Sequence, residues 1–413
     1  MPVTFLKFIV GAVRLILKGN KFYYAWCLFL LILICAGTYM YMEELLSGHS
    51  DANMNDSISW GFYIGNYTFL VGVAAAAIML VIPAYIYHWQ PIKEIVVLGE
   101  LLAVCAMIMV FAFVMVDLGH PERFWHMLPG IGTLNWPSAV LSWGILTMNG
   151  YCILNAVIVM YVLYKMYMGR KPNYKILWPL VIFSIPLAVS IHTVTACIYA
   201  GMAARPFWNA AVLAPRFLTS AFCSGPAVLT ILLQILKRTT RLKIQDAAIW
   251  KIAELMAYAM ALNLFLTGAE AFKEFYAGGE HVVYAKYYYL GLGNDMTLVP
   301  FAWASVACDF VAFLLLLIPA TRKNVITLNI GCLLIYAGTY IEKGMGLLIP
   351  GLTPDTLGEI HPYTPSMSEV LIAAGIFSIG FLLYTVSVKV AVPVMLSEFK
   401  HDVTPSGLTS AVP

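Results

Sequence analysis

Ten apolar stretches divide the chain, and each is long enough to cross a hydrocarbon core of about 30 Å. They run at about 22–46, 59–87, 92–116, 136–165, 176–201, 208–236, 247–275, 296–320, 324–348 and 369–396. In lipid every backbone amide and carbonyl needs a partner within the chain, so these stretches must be helices. A barrel would show shorter segments of alternating hydrophobicity. The chain is therefore all-α, a polytopic integral membrane protein. Composition agrees: 61% of residues are hydrophobic and 11% charged, against about 25% charged in a soluble domain. This excludes a soluble enzyme, a disordered chain and a nucleic-acid-binding module. A net charge of +3 gives no footprint for a polyanion.

Orientation follows from Lys and Arg. Of the 24 basic residues, 18 fall on the N-terminal side of the membrane. They cluster at Lys7–Lys21, in the loop after the fourth span and in the loop after the sixth. The other side holds Arg123, Arg205, Arg216, Lys273, Lys286 and Lys343. Both termini are expected to be cytoplasmic, in a prokaryotic inner membrane. Residues 1–21 read as an interfacial amphipathic helix rather than a cleaved leader. The external segments 117–135 and 349–368 are rich in Gly, Pro and aromatics, and read as ordered loops able to dock a partner.

Two segments resemble each other: LGELLAVCAM from Leu98 and IAELMAYAMA from Ile252. Their glutamates, Glu100 and Glu254, are 154 residues apart. Each helix has a second acid near its outer end, Asp117 and Glu270. This predicts two parallel four-helix bundles, spans 2–5 and 6–9, plus flanking helices. The expected units are 1–21, 22–58, 59–201 (the first bundle), 202–348 (the second) and 349–413. A secondary transporter would need a pair of discontinuous helices around a midplane site, and no clear pair is legible.

None of the eight cysteines forms C-x-x-C or C-x-x-C-H. Covalent haem and a Cys-ligated iron–sulfur cluster are not expected on this chain. Of eight histidines, only His192 lies well inside a span, so no paired haem ligands and no metal site are expected.

Acids inside a bilayer are costly and are functional candidates by default. Here they are Glu100 and Glu254 toward the cytoplasmic side, Asp309 near mid-span, Glu270 and Glu342 in the outer half, and Asp117 at the outer edge. They read either as proton-transfer groups or as buried helix–helix hydrogen-bonding groups. Glu342 is followed by Lys343, which suggests local pairing or snorkelling. His192, beside Thr193 and Thr195, suits proton exchange near neutral pH, or a bond to a neighbouring helix carbonyl.

A quinone-reactive site needs an apolar slot, a donor for each carbonyl and a proton-exchanging group. The outer end of span 2 offers Trp60, Tyr63, Asn66 and Tyr67. The next outer loop offers Asp117, His120 and Arg123, and span 5 offers His192 and Tyr199. An aromatic interfacial belt is the plainer reading of any one of these tyrosines.

WGFYIGNYTFLVGVAAAA (Trp60–Ala77), DLGHPERFWH (Asp117–His126), IHTVTACIYAGMAARPFWN (Ile191–Asn209) and YIEKGMGLLIPG (Tyr340–Gly351) resemble the NrfD/PsrC family. These are membrane subunits of polysulfide-reductase-type complexes, and the resemblance extends over all ten spans. Through YHWQPIKEIVVLGELLAV (Tyr87–Val104) the chain most resembles the DsrP branch of sulfite-reduction-associated (Dsr) complexes. The resemblance implies menaquinone bound near the outer face as an exchangeable substrate, and no redox centre on this chain. It implies an extracytoplasmic ferredoxin-like iron–sulfur subunit, a multihaem cytochrome c, a haem b membrane subunit and a cytoplasmic iron–sulfur subunit as partners. At a position where the family can have His, this chain has Tyr67. A phenol is a poor base at neutral pH, which moves the proton-accepting role to His192 or Asp117. Where several relatives have Arg after the acid of span 9, this chain has Lys343. The expected function is quinone exchange in a respiratory electron-transfer complex. Proton translocation and a passive membrane anchor are the alternatives.

Overall fold

A computed structural model describes residues 2–48, 52–74, 76–127, 130–279, 281–355 and 357–401. The expected tail beyond 401 and residues 128–129 of the first external loop lie outside the described residues. The described residues are helical with no strands, and ten helices are long and apolar enough to cross a membrane. They are span 1 (Lys21–Ser47), 2 (Phe62–Ile86), 3 (Val96–Asp117), 4 (Val140–Tyr167), 5 (Tyr174–Ala200), 6 (Leu213–Thr239), 7 (Asp246–Ala277), 8 (Val299–Leu317), 9 (Val325–Leu352) and 10 (Met367–Met395). The connections that follow the odd-numbered spans lie at one end of the molecule, called here the loop end. The opposite end carries the Lys/Arg-rich turns and is called the basic end.

Spans 2, 3, 4 and 5 pack in a ring, each against the next and span 5 back onto span 2. Spans 6, 7, 8 and 9 close a second ring in the same way. The rings join where span 6 lies against spans 2 and 5. Span 1 pairs with span 10, and span 10 packs on span 3. Small residues permit the first of these contacts: a Cβ on Gly37 would lie 2.9 Å from the Gly375 Cα. Lipid tails are as apolar as leucine, so helices associate in membranes through such close packing rather than through a hydrophobic drive. Spans 2 and 3 are 76% and 78% buried while span 1 is 11% buried, which makes spans 2 and 3 the centre and span 1 a lipid-facing flank.

Pro2–Leu17 is a helix separate from span 1, with Asn20 capping the start of span 1 through the Tyr23 amide at 2.8 Å. Phe8 docks it against Tyr164, Tyr167 and Phe399 at the basic end.

Three features at the loop end and in span 2 are not legible in the hydropathy pattern. A short helix, Val282–Tyr289, lies between spans 7 and 8. Span 2 ends in a π-helical turn, Ile82–Ile86. Span 9 runs on past its expected end at 348, but breaks at Gly344 into Val325–Lys343 and Met345–Leu352. The segment after the break is clamped by the span 5–6 connection. Trp208, fully buried, donates Nε1–H to the Leu347 carbonyl at 2.8 Å, and Arg205 donates to the Leu352 carbonyl at 2.8 Å. Trp60 and Tyr199 pack on the same indole. The loop after the break is stapled as well: Tyr363 accepts from the Phe62 amide at 2.8 Å and donates to the buried Glu369 at 2.5 Å.

Candidate functional site

Span 2 distributes its polar side chains around one and a half turns. Tyr63 donates to Glu44 of span 1 at 2.7 Å. Asn66 accepts from Tyr340 of span 9 at 2.8 Å. The Tyr67 hydroxyl meets the Met148 sulfur of span 4 at 3.8 Å, a weak acceptor. Thr68 and Tyr199 of span 5 share a hydrogen bond of 2.5 Å. The four residues therefore do not converge on one point. Tyr63 and Asn66 turn away to spans 1 and 9, while the Tyr67 hydroxyl lies between spans 4 and 5 and Thr68 bonds span 5.

On span 5, His192, Thr195 and Tyr199 are spaced i, i+3 and i+7, which puts them on one helix face. All three are buried. Thr195 lies beside the Tyr67 hydroxyl and donates to its own Ile191 carbonyl at 2.6 Å. His192 is 1% exposed and neither ring nitrogen has a hydrogen-bond partner. The expected bond to a neighbouring carbonyl is not made. An imidazole always carries at least one N–H, and leaving a buried donor unmet costs about 1–3 kcal/mol.

The expected local pair of Glu342 and Lys343 does not form. Adjacent helical residues project about 100° apart and do not face each other. Lys343 turns toward the junction of the two bundles, where it is buried and donates to the Phe217 carbonyl at 2.9 Å, with its Nζ 5.1 Å from that ring's centroid. Gly72 makes the room. A Cβ there would lie 3.2 Å from Lys343 Nζ and 3.0 Å from Ser224 Oγ, so the two are neighbours. Ser224 Oγ is buried with no partner. Lys343 and Ser224 thus lie together against Gly72 where spans 2, 6 and 9 meet, and His192 of span 5 is a separate buried polar group without a partner.

Glu342 turns instead to Arg216 of span 6, which also pairs with Glu270 of span 7. Asn263 and Thr267 each donate to Glu342 at 3.3 Å. Asp309, buried in the same bundle, has an Oδ1 without partner.

Toward the basic end the repeat loses its symmetry. Glu100 is fully buried, and neither carboxylate oxygen has a partner. Glu254 is a quarter exposed and bonds Lys251 and Tyr258 at 3.1 Å and Arg322 at 3.5 Å. The placement of Glu254 among buried acids does not hold. A cavity of about 460 Å³ at this end is lined by Tyr85, Val96, Val97, Lys93, Arg241 and Lys243, among others.

At the loop end, Asp117 closes span 3, and its charge reaches Tyr199 and Tyr363. His120 and Arg123 lie apart from this group. Their side chains are exposed, and both turn to Glu122, His120 at 2.9 Å. The hydrogen bond from the Glu122 amide, with His120 and Arg123 beside it, holds the Glu122 carboxyl below the usual range. Asp355, Glu359 and His361 gather ligand-type atoms within 4.8 Å of one another. Asp355 there accepts the Leu357 and Glu359 amides at 2.9 Å each, and lies 3.3 Å from His361. Those amides and the ring hold its carboxyl below the usual range. The group serves as a loop staple.

Hydropathy alone did not mark Glu44, Glu369, Arg216 and Lys343 as site members. Each sits near the end of a span, where a charged residue reads as interfacial, and only tertiary contact buries it.

Fold and site together define a multi-pass helical membrane protein with buried, unpartnered polar side chains among its two four-helix bundles. The chain belongs to the NrfD family: the profile described as "Polysulphide reductase, NrfD" matches residues 50–354. It is 23% identical over 391 residues to the putative membrane subunit of a dimethyl sulfoxide reductase from Halobacterium salinarum, covering 87% of this chain and 88% of that protein. It is 24% identical over 283 residues to a selenate reductase subunit of Mesobacillus selenatarsenatis, covering 61% and 64%. It is 21% identical over 384 residues to the Hdr-like menaquinol oxidoreductase integral membrane subunit of Archaeoglobus fulgidus, covering 89% and 92%.

Removing Arg216 leaves Glu270 and Glu342 facing each other without their shared cation. Arg216→Gln is expected to destabilise the chain by about 3–5 kcal/mol, read as a lower midpoint of thermal unfolding in detergent. Replacing Glu270 with Gln in the same chain should recover part of that loss.

Proposed function

We propose that this chain is the quinone-interacting membrane subunit of a respiratory oxidoreductase complex. It would exchange electrons between menaquinone or menaquinol and an extracytoplasmic iron–sulfur subunit, with the loop end facing outward and both termini in the cytoplasm. The observation that carries the reading is His192, a buried imidazole with both nitrogens unpartnered, on the span 5 face that also carries Tyr199 and Thr195, the latter beside the Tyr67 hydroxyl. That donor and acceptor set fits a quinone, which has two carbonyl oxygens and an apolar ring. The relatives support the class: all three are named as subunits of reductases or oxidoreductases, one of them a menaquinol oxidoreductase. A dissimilatory sulfur role, with a multihaem cytochrome c, a haem b subunit and a cytoplasmic iron–sulfur subunit as neighbours, is the finer form of the proposal.

A bound quinone would supply two-electron, two-proton chemistry. His192 would hold a hydrogen bond to one oxygen and move a proton at a ring nitrogen. Tyr67 and Lys343 would donate from their hydroxyl and ammonium. Thr68 and Tyr199, joined by a hydrogen bond on the loop-end side, would carry that proton outward. Tyr63 and Asn66 would fix span 2 through Glu44 and Tyr340 rather than touch the ring. His120 and Arg123, exposed with Glu122, would serve partner docking better than head-group binding.

His192→Ala should abolish quinone turnover while the complex still assembles, and Lys343→Gln should lower it about tenfold or more. Unchanged turnover in His192→Ala would remove the histidine from this role.

One observation favours proton translocation in addition. Glu100 lies buried without a partner, within electrostatic reach of Tyr85, which lines the basic-end cavity. Water entering there would reach the level of Glu100 from the cytoplasm. If so, Glu100→Gln in proteoliposomes should keep quinone turnover and lose proton uptake. Uptake that persists would confine proton exchange to the loop end.

A further inference from the structure

The second bundle carries a cavity that the proposed site does not use. About 500 Å³ opens between spans 7 and 8 near the loop end, beside the helix Val282–Tyr289. Its walls are apolar and aromatic, with Leu264, Phe272, Phe275, Leu290, Trp303 and Val306. Phe272 is 67% and Trp303 54% exposed, on helices whose length and composition place those faces in lipid. The mouth therefore opens sideways to the bilayer. A volume of this size is ordinary for a small-molecule site.

The floor is polar: Thr267, Ser305, Asp309 and Glu342. Its hydrogens are spent within the protein. Ser305 donates to the Gly338 carbonyl at 2.8 Å, and Thr267 donates to Glu342. Glu342 is already neutralised by Arg216. Asp309 is the exception: it is only 3% exposed, and its Oδ1 has no partner. The floor thus leaves one carboxyl group, Asp309, without a hydrogen bond beneath apolar walls.

That asymmetry selects the ligand. A phospholipid tail would press hydrocarbon on an unmet carboxyl group, and burying a polar group without a bond is unfavourable. A ring with a hydroxyl and an apolar tail satisfies both parts: its O–H donates to Asp309 while the ring lies among the aromatic walls. We propose that this slot is a second binding site, entered from the bilayer, for a hydroquinone-type amphiphile. The inference rests on the reading of the chain as a quinone subunit, but places the additional ligand in the bundle that lacks His192.

The test is equilibrium binding of a heptyl-hydroxyquinoline N-oxide, a hydroxyl-bearing ring with an apolar tail, to the full chain in lipid nanodiscs. Two probes should bind per chain. Asp309→Asn should weaken one of them about tenfold or more, and Ala302→Trp, which fills the slot, should abolish the same one. His192→Ala should remove the other. Retained binding at the His192 site shows that the slot variants are folded. A single bound probe, lost in His192→Ala and indifferent to Asp309→Asn, would overturn the second site and leave the proposed function standing. Two probes that both ignore Asp309→Asn and Ala302→Trp would also overturn it. No binding at all would overturn the quinone reading, and this inference with it.

Discussion

Lipid offers a buried polar atom no partner, so each one in this chain must find its own. Span 2 is where that constraint organises the molecule. Within six residues it sends Tyr63 to span 1, Asn66 to span 9, Tyr67 toward span 4 and Thr68 to span 5. These bonds orient the first bundle internally and tie it to both the flank and the second bundle. Against this background of satisfied groups, unpartnered ones stand out, among them His192, Ser224, Thr230, Glu100 and Asp309. Each stands where a ligand, a water or a proton could complete it.

The two bundles meet the constraint differently. The second holds a cation inside, with Arg216 shared by Glu270 and Glu342, so its acids are largely neutralised where they sit. Among the described residues, the first holds no such pair at its centre. Glu100 is alone, and Lys343 is brought to the bundle junction from span 9 through the gap at Gly72. The break after Lys343 follows from the same arrangement. Trp208 and Arg205 take up carbonyls of Met345–Leu352, and so fix the segment that positions Lys343. Three of the sequence stretches that carry the family resemblance, Trp60–Ala77, Ile191–Asn209 and Tyr340–Gly351, therefore act as one assembly around the bundle junction.

The ten helical spans were legible because a span has one solution in lipid, and apolar length marks it. The ring packing followed from the repeat at Glu100 and Glu254. Side-chain partnerships were not legible. Glu342 and Lys343 are adjacent in sequence but project in different directions, one into the second bundle and one to the junction. Glu254 copies Glu100 in sequence, yet Arg322 and Lys251 reach it near the surface. Glu44 and Glu369 look like interfacial acids until span 2 and Tyr363 fold over them. His192 was legible as a buried polar group, because it stands deep in an apolar helix. His120 and Arg123 were placed with it by motif, but the loop turns them outward to Glu122.

If His192 contacts the quinone head group, a structure of the intact complex with a bound menaquinone analogue shows it most directly. A ring oxygen is expected within hydrogen-bond distance of a His192 nitrogen, with Lys343 and Tyr67 around the same head group. An analogue bound elsewhere, with His192 still enclosed by protein alone, would contradict that contact and the function built on it.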